Sequence, residues 1–142
     1  MLSLKQQNWH KFEKQLRRKK IPFLFIADKA QAAVLKRKWL QHFAGGTDTR
    51  GIYIEDFMWH IFSYERVPCK KEDAATRQFL AQDKYICFVL NQHHDSAYLL
   101  SGAQALAPDD LYIDSYVIDV QFQWTYVVTH ESECGPYFAS CV

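Results

Sequence analysis

After Lys84 the sequence contains no lysine and no arginine. Residues 91–142 set none of either against 7 Asp/Glu, a net of −7; residues 51–90 set 5 against 6, a net of −1; residues 1–50 set 12 against 3, a net of +9. The formal total of +1 conceals this segregation, which points to a charged partner and says nothing about fold. Long apolar runs are also missing. The run IPFLFIA, residues 21–27, follows a charged helix pattern and falls well short of the roughly 18 residues that span a bilayer. A soluble, cytoplasmic protein without a membrane partner is expected. Cysteines are few and unpaired: Cys69, Cys87, Cys134 and Cys141 form no CxxC motif, which in the cytoplasm argues for free thiols. With 5 glycines and no GxGxxG or P-loop string, nucleotide binding has no motif behind it. No internal repeat, low-complexity stretch or linker interrupts the chain.

What the sequence has is length and aromatic mass. A chain of 142 residues is expected to be one domain, and such a domain buries roughly 68% of the surface its unfolded chain exposes. Its 10 Phe, 8 Tyr and 4 Trp can dominate both a core and an interface, since each covers ~150 to 250 Å² when buried.

Helix signals come early and strand signals late. Ser3 can cap a helix to about Lys20, with Leu4, Phe12 and Leu16 on one stripe and RRKK in the last turn, where cations suit the dipole. PFLFIA reads as a strand. Asp28 can cap a second helix, KAQAAVLKRKWLQHFA, which Gly45 and Gly46 terminate. Residues 52–65 fit neither period; a short helix or turn passing into a strand near Trp59 to Tyr64 is expected. A polar helix is expected over residues 70–82, with Ala75 and Phe79 inward. Residues 85–91, 97–101, 115–120 and 124–130 are short β-rich runs. Short links favour antiparallel pairing, so the expected fold class is α+β: a mostly antiparallel sheet of about four to six strands with N-terminal helices packed on one face.

Two stretches, YIEDFMWHIFSYE and VIDVQFQWTYVVTHESECGPYF, carry a resemblance. They resemble the bacterial family catalogued as domain of unknown function 4275, whose members carry Trp-His-x-Phe-Ser-Tyr-Glu and end in Trp-Thr-Tyr-Val-x-Thr-His-Glu followed by Cys-Gly-Pro-Tyr-Phe. The resemblance falls on Trp59, His60, Phe62, Ser63, Tyr64 and Glu65, then on Trp124 to Val127, Thr129 to Glu131 and Cys134 to Phe138, within about residues 35–138. It implies no activity. The roles of Trp59, His60, Trp124, His130 and Cys134 have to be weighed from their chemistry.

Zinc would need three or four Cys, His or carboxylate ligands, and His60, His93, His94, His130 and Cys134 are available. The His130-x3-Cys134 spacing needs a helix to put both on one side, yet Gly135-Pro136 follows at once; no metal or other cofactor is expected. Cys134 with His60 or His130 and Glu131 could form a Cys-His-acid set, which requires a thiol whose pKa is lowered by an adjacent base. That is the alternative function: a small hydrolase or metal-dependent enzyme on His60, His130, Glu131 and Cys134. The plainer reading has Thr129, His130 and Glu131 closing off the last strand by hydrogen bonds, Cys134 a small buried hydrophobe, and Trp59 a core aromatic with His60 a satisfied neighbour. Cys87 alternates with Tyr85 and Val89, which suggests packing.

The basic first helix, from Lys5 to Lys20, could touch phosphates, but the acidic half would repel a backbone; a solvated face is expected and nucleic acid is not the expected partner. The acidic half remains. Asp95, Asp109, Asp110, Asp114, Glu131 and Glu133 fall at expected strand ends and loops, where binding residues concentrate. An aromatic-rich acidic surface suits a basic protein partner, such as the cleft of a nuclease-type toxin domain. The leading expectation is a non-catalytic immunity or antitoxin-type protein that binds and blocks a cognate bacterial toxin. The rival account is internal: the basic half neutralises the acidic half within one fold.

Overall fold

The computed structural model describes residues 4–52, 54, 56–131 and 133–141. Its elements in chain order are α1 (Leu4–Arg18), β1 (Phe23–Ile26), α2 (Lys29–Ala44), α3 (His60–Ser63), β2 (Lys70–Lys71), α4 (Glu72–Leu80), β3 (Ile86–Asn91), β4 (Ala97–Ser101), a 3-10 turn (Pro108–Asp110), β5 (Ser115–Asp119), β6 (Trp124–Val128) and β7 (Tyr137–Ser140). The strands make one antiparallel sheet in the order β1-β4-β3-β5-β6-β7-β2. The α+β class and the antiparallel sheet are as expected.

Three expectations need correction. The sheet has seven strands, above the expected four to six, because β2 and β7 pair where no period announces them. The segment 59–64 is helical: Phe62 N–H bonds to the Trp59 carbonyl and Tyr64 N–H to that of His60, both at 2.9 Å. Met58, Trp59, Ile61 and Phe62 are all buried there, and a segment apolar on every side shows no period to read. Third, helices cover both sheet faces. On β3 and β5 the odd positions Cys87, Val89 and Val117, with Tyr126 opposite Val117 on β6, join Phe12 and Leu16 of α1 and Phe79 of α4 in one core. Even positions such as Leu90, Tyr116 and Ile118 join Trp39 of α2 and Phe62 of α3 in a second. Strands buried on both faces read as continuous apolar runs, so the sequence pattern carried no sign of a bare face.

Local chemistry accounts for the elements that frame these cores. Asp28 Oδ1 accepts the N–H groups of Ala30 (2.8 Å) and Gln31 (3.2 Å), capping α2. Past its far end, Gly46 takes φ +79°, a conformation that suits glycine. Trp39, fully buried, donates its indole N–H to Thr125 Oγ1 at 2.9 Å and so ties α2 to β6. The expected α1 cap, Ser3, lies outside the described residues. The polar helix begins at Glu72 rather than residue 70, since Lys70 and Lys71 pair with β7. Cys87 and Val89 do share a buried face, whereas Tyr85 is 74% exposed beyond the strand.

Candidate functional site

Asp114 precedes β5 in the left-handed region, φ +59°, which Asp tolerates better than most residues. Its side chain is only 1% exposed. The carboxylate accepts from Trp59 Nε1 (3.0 Å), from the His130 backbone N–H (3.1 Å), from His93 Nε2 (2.8 Å) and from His130 Nδ1 (3.0 Å to both oxygens). A carboxylate only accepts, so the ring nitrogen facing it in each histidine carries the proton. Around these groups Phe57 forms an aromatic bed, its ring 4.9 Å from His130, 5.9 Å from His93 and 5.7 Å from His60.

The two motif stretches therefore converge. Trp59 is a core aromatic, and its backbone N–H also bonds Tyr116 Oη at 3.1 Å. His60, half-buried, lies 4.3 Å from the Trp59 ring, with Nδ1 2.8 Å from Ser63 Oγ. Burial holds its imidazole below the ordinary range, with Glu131 opposing that effect. His130 places Nε2 3.5 Å from Glu131 Oε1, and Cys134 Sγ donates to Glu131 Oε2 at 3.3 Å.

That chain of contacts opposes thiolate chemistry. Glu131 stands between imidazole and thiol, and burial together with this carboxylate pushes the Cys134 thiol up, not down. Cys134 is half-buried and hydrogen-bonded, which corrects its reading as a buried hydrophobe. His94 turns away from His93 to stack on Trp9 of α1 at 4.4 Å. Among the described residues no group of three or more His, Cys, Asp or Glu is arranged to hold a metal ion. Trp124 is elsewhere too, packed with Phe79 and Phe138 and lining a groove of about 500 Å³ with Gln78 and Gln82.

The six carboxylates expected to face a partner separate into three situations. Asp114 is buried, a correction: its place at the head of β5 suggested exposure, but two imidazoles and an indole enclose it. Asp110 is also engaged internally, with Lys19 Nζ at 2.5 Å and the Ala107 N–H at 2.9 Å, and its side chain is 6% exposed. Asp95 is exposed beside Lys29 at 3.8 Å. Asp109, Glu131 and Glu133 are exposed, and the first two line one groove of about 280 Å³ with Thr76, Pro108, Tyr126 and Pro136. No Lys or Arg among the described residues lines it. Beneath it, Gly135 sits at φ +100°, where a Cβ would lie 3.2 Å from the Tyr137 ring, so this turn requires glycine.

Sequence reasoning missed Phe57 and the pairing of His93 with Asp114. The only signal was the polar turn after Asn91, whose Oδ1 accepts the His93 N–H at 2.9 Å.

Fold and site together define an α+β protein with a two-sided core and a histidine-flanked buried aspartate beside an acidic groove. The chain belongs to the family described as Domain of unknown function (DUF4275), whose model it matches over residues 10–138. Comparison with the curated proteins and with the solved structures gives no match. Among the described residues no helix is long and apolar enough to cross a membrane.

Proposed function

We propose that this is a non-catalytic binding module of the immunity or antitoxin type, acting in the cytoplasm on a cognate bacterial toxin. The observation that carries this reading is the Asp109–Glu131 groove: two exposed carboxylates, an edge formed by Tyr126 and the prolines, and, among the described residues, no lining cation. Such a recess suits one Lys or Arg side chain of a basic partner. The cation gains two charge-assisted contacts while its stem packs on Tyr126 and the prolines. Glu133 in the adjoining loop adds to the negative potential that speeds encounter.

The test is a survival assay in which the protein is co-expressed with the C-terminal fragment of whatever large protein is encoded immediately upstream, once that fragment alone is shown to be lethal. Wild type is expected to rescue growth, and the Asp109→Lys, Glu131→Lys double variant to weaken binding about tenfold or more. Failure of the folded wild type to rescue, or full rescue by the double variant, removes this partner or this groove respectively.

A second reading is favoured by the His93–Asp114–His130 arrangement: proton transfer at His130 Nε2, with Asp114 fixing the tautomer. The same assay separates the two. Rescue retained in His130→Ala and Cys134→Ala supports binding; rescue lost in a folded His130→Ala variant supports catalysis.

A further inference from the structure

The face of the sheet that packs on α2 is covered at one end only. The register sets its residues in cross-strand rows. In the row Ile26, Ala97, Leu90 and Tyr116, the last three are fully buried. In the next, Leu24, Leu99, Phe88 and Ile118, only Ile118 is buried; Phe88 and Leu99 are half-buried and Leu24 is 66% exposed. Beyond it Ile86 and Val120 lie side by side, Val120 N–H donating to the Ile86 carbonyl at 3.1 Å, and each is 43% exposed. Single exposed apolar residues are ordinary, but five contiguous ones on a flat face mark an interaction surface.

The borders of this strip indicate what covers it. Val34, Lys38 and His42 recur at four-residue spacing on one side of α2. His42 stacks on Phe122 at 5.3 Å and Phe122 lies 5.9 Å from Phe88, which sets that side of the helix along the strip. One border thus carries the exposed cation of Lys38. The opposite border carries the exposed Asp83, which lines the same groove as Ile86 and Val120. A uniformly charged partner would meet one border with repulsion. A second copy, turned about a two-fold axis, meets each border with its complement.

We infer that this strip is a homodimer interface in which two copies pack sheet against sheet. Leu24, Phe88, Ile86 and Val120 supply its apolar centre, and the closed pair removes from water a surface that α2 leaves bare.

The experiment is sedimentation equilibrium on the full chain at up to about 100 µM, with Ile86→Glu and Val120→Glu beside wild type, enough to detect a dissociation constant in the ~µM range. Both side chains are half-exposed, so the variants are expected to keep the fold, which circular dichroism checks. Wild type is expected to dimerise, and either variant to dissociate at least about tenfold more readily. A monomeric wild type overturns the inference whatever the variants do. So does a dimer that persists in both variants. That is the result expected if copies joined instead through the β1 edge, since Ile86 and Val120 sit on and beside the third and fourth strands from it.

Discussion

Asp114 shows how much one side chain can organise when it is buried and hydrogen-bonded on every side. It joins α3 through Trp59, the turn after β3 through His93, and the end of β6 through His130. Removing it strands the buried Trp59 indole N–H, at roughly 1–3 kcal/mol, and leaves the partly exposed His93 and His130 ring donors without their acceptor. Asp114→Ala is therefore expected to lower unfolding free energy by about 3 kcal/mol or more in chemical denaturation. Asp114→Asn, which keeps the shape and one acceptor, should cost less. His60 supplies a pH prediction whose sign follows from linkage. Burial depresses its folded pKa below the ordinary 6.5, with Glu131, Asp114 and Asp56 opposing and His130 reinforcing. Between the two values the unfolded chain binds more protons, so this contribution is present above pH 6.5 and is lost as pH falls through the folded value. Stability measured from about pH 7 down to about pH 5 should fall less steeply in His60→Gln than in wild type. An unchanged slope would mean that His60 charges without cost.

At the scale of elements, Thr125 gives the cleanest test of how helix and sheet are joined. Its hydroxyl accepts the Trp39 indole N–H and donates to the Val117 carbonyl at 2.9 Å. Thr125→Val keeps the β-branched shape but leaves a buried indole without its acceptor. A loss of about 1–3 kcal/mol is expected, against near neutrality for Thr→Val at an exposed strand site. The elements legible in the sequence were those whose own residues carry the signal: α2 between Asp28 and Gly46, β1 as a short apolar run, and β3 to β6 as β-branched and aromatic stretches. β2 was not legible, because Lys70 and Lys71 are strand only through backbone bonding to β7. Nor was β7, four residues behind Gly135-Pro136, whose pairing with β6 is decided by the turn. The site shared this limit. The motif residues could be named from the chain, but their meeting at Asp114 depends on contacts between residues 16 to 55 positions apart.

For the whole molecule, the question is how far the basic first third answers the acidic last third. The ion pairs Lys29–Asp95 and Lys19–Asp110 both span them, and they differ in kind. Lys29 and Asp95 stand 3.8 Å apart with side chains 81% and 73% exposed, where water and salt screen the charges. Lys19 and Asp110 stand 2.5 Å apart at 23% and 6%, and Lys19 Nζ also donates to the Ala105 carbonyl at 3.1 Å. The first pair belongs to a class worth about 0–1 kcal/mol. Breaking the second leaves a carboxylate with little water and a single backbone donor, Ala107 N–H, which costs more than the pair ever contributed. Lys29→Met is thus expected to change unfolding free energy by less than about 0.5 kcal/mol and Lys19→Met to lower it by about 1–3 kcal/mol. Mutating Asp110 to Asn in the Lys19→Met background should recover part of that loss, since it removes the stranded charge. Equal effects of the two lysine changes would show that the halves attract through their overall fields rather than through one buried contact. The acidic groove would then owe part of its potential to that same long-range balance.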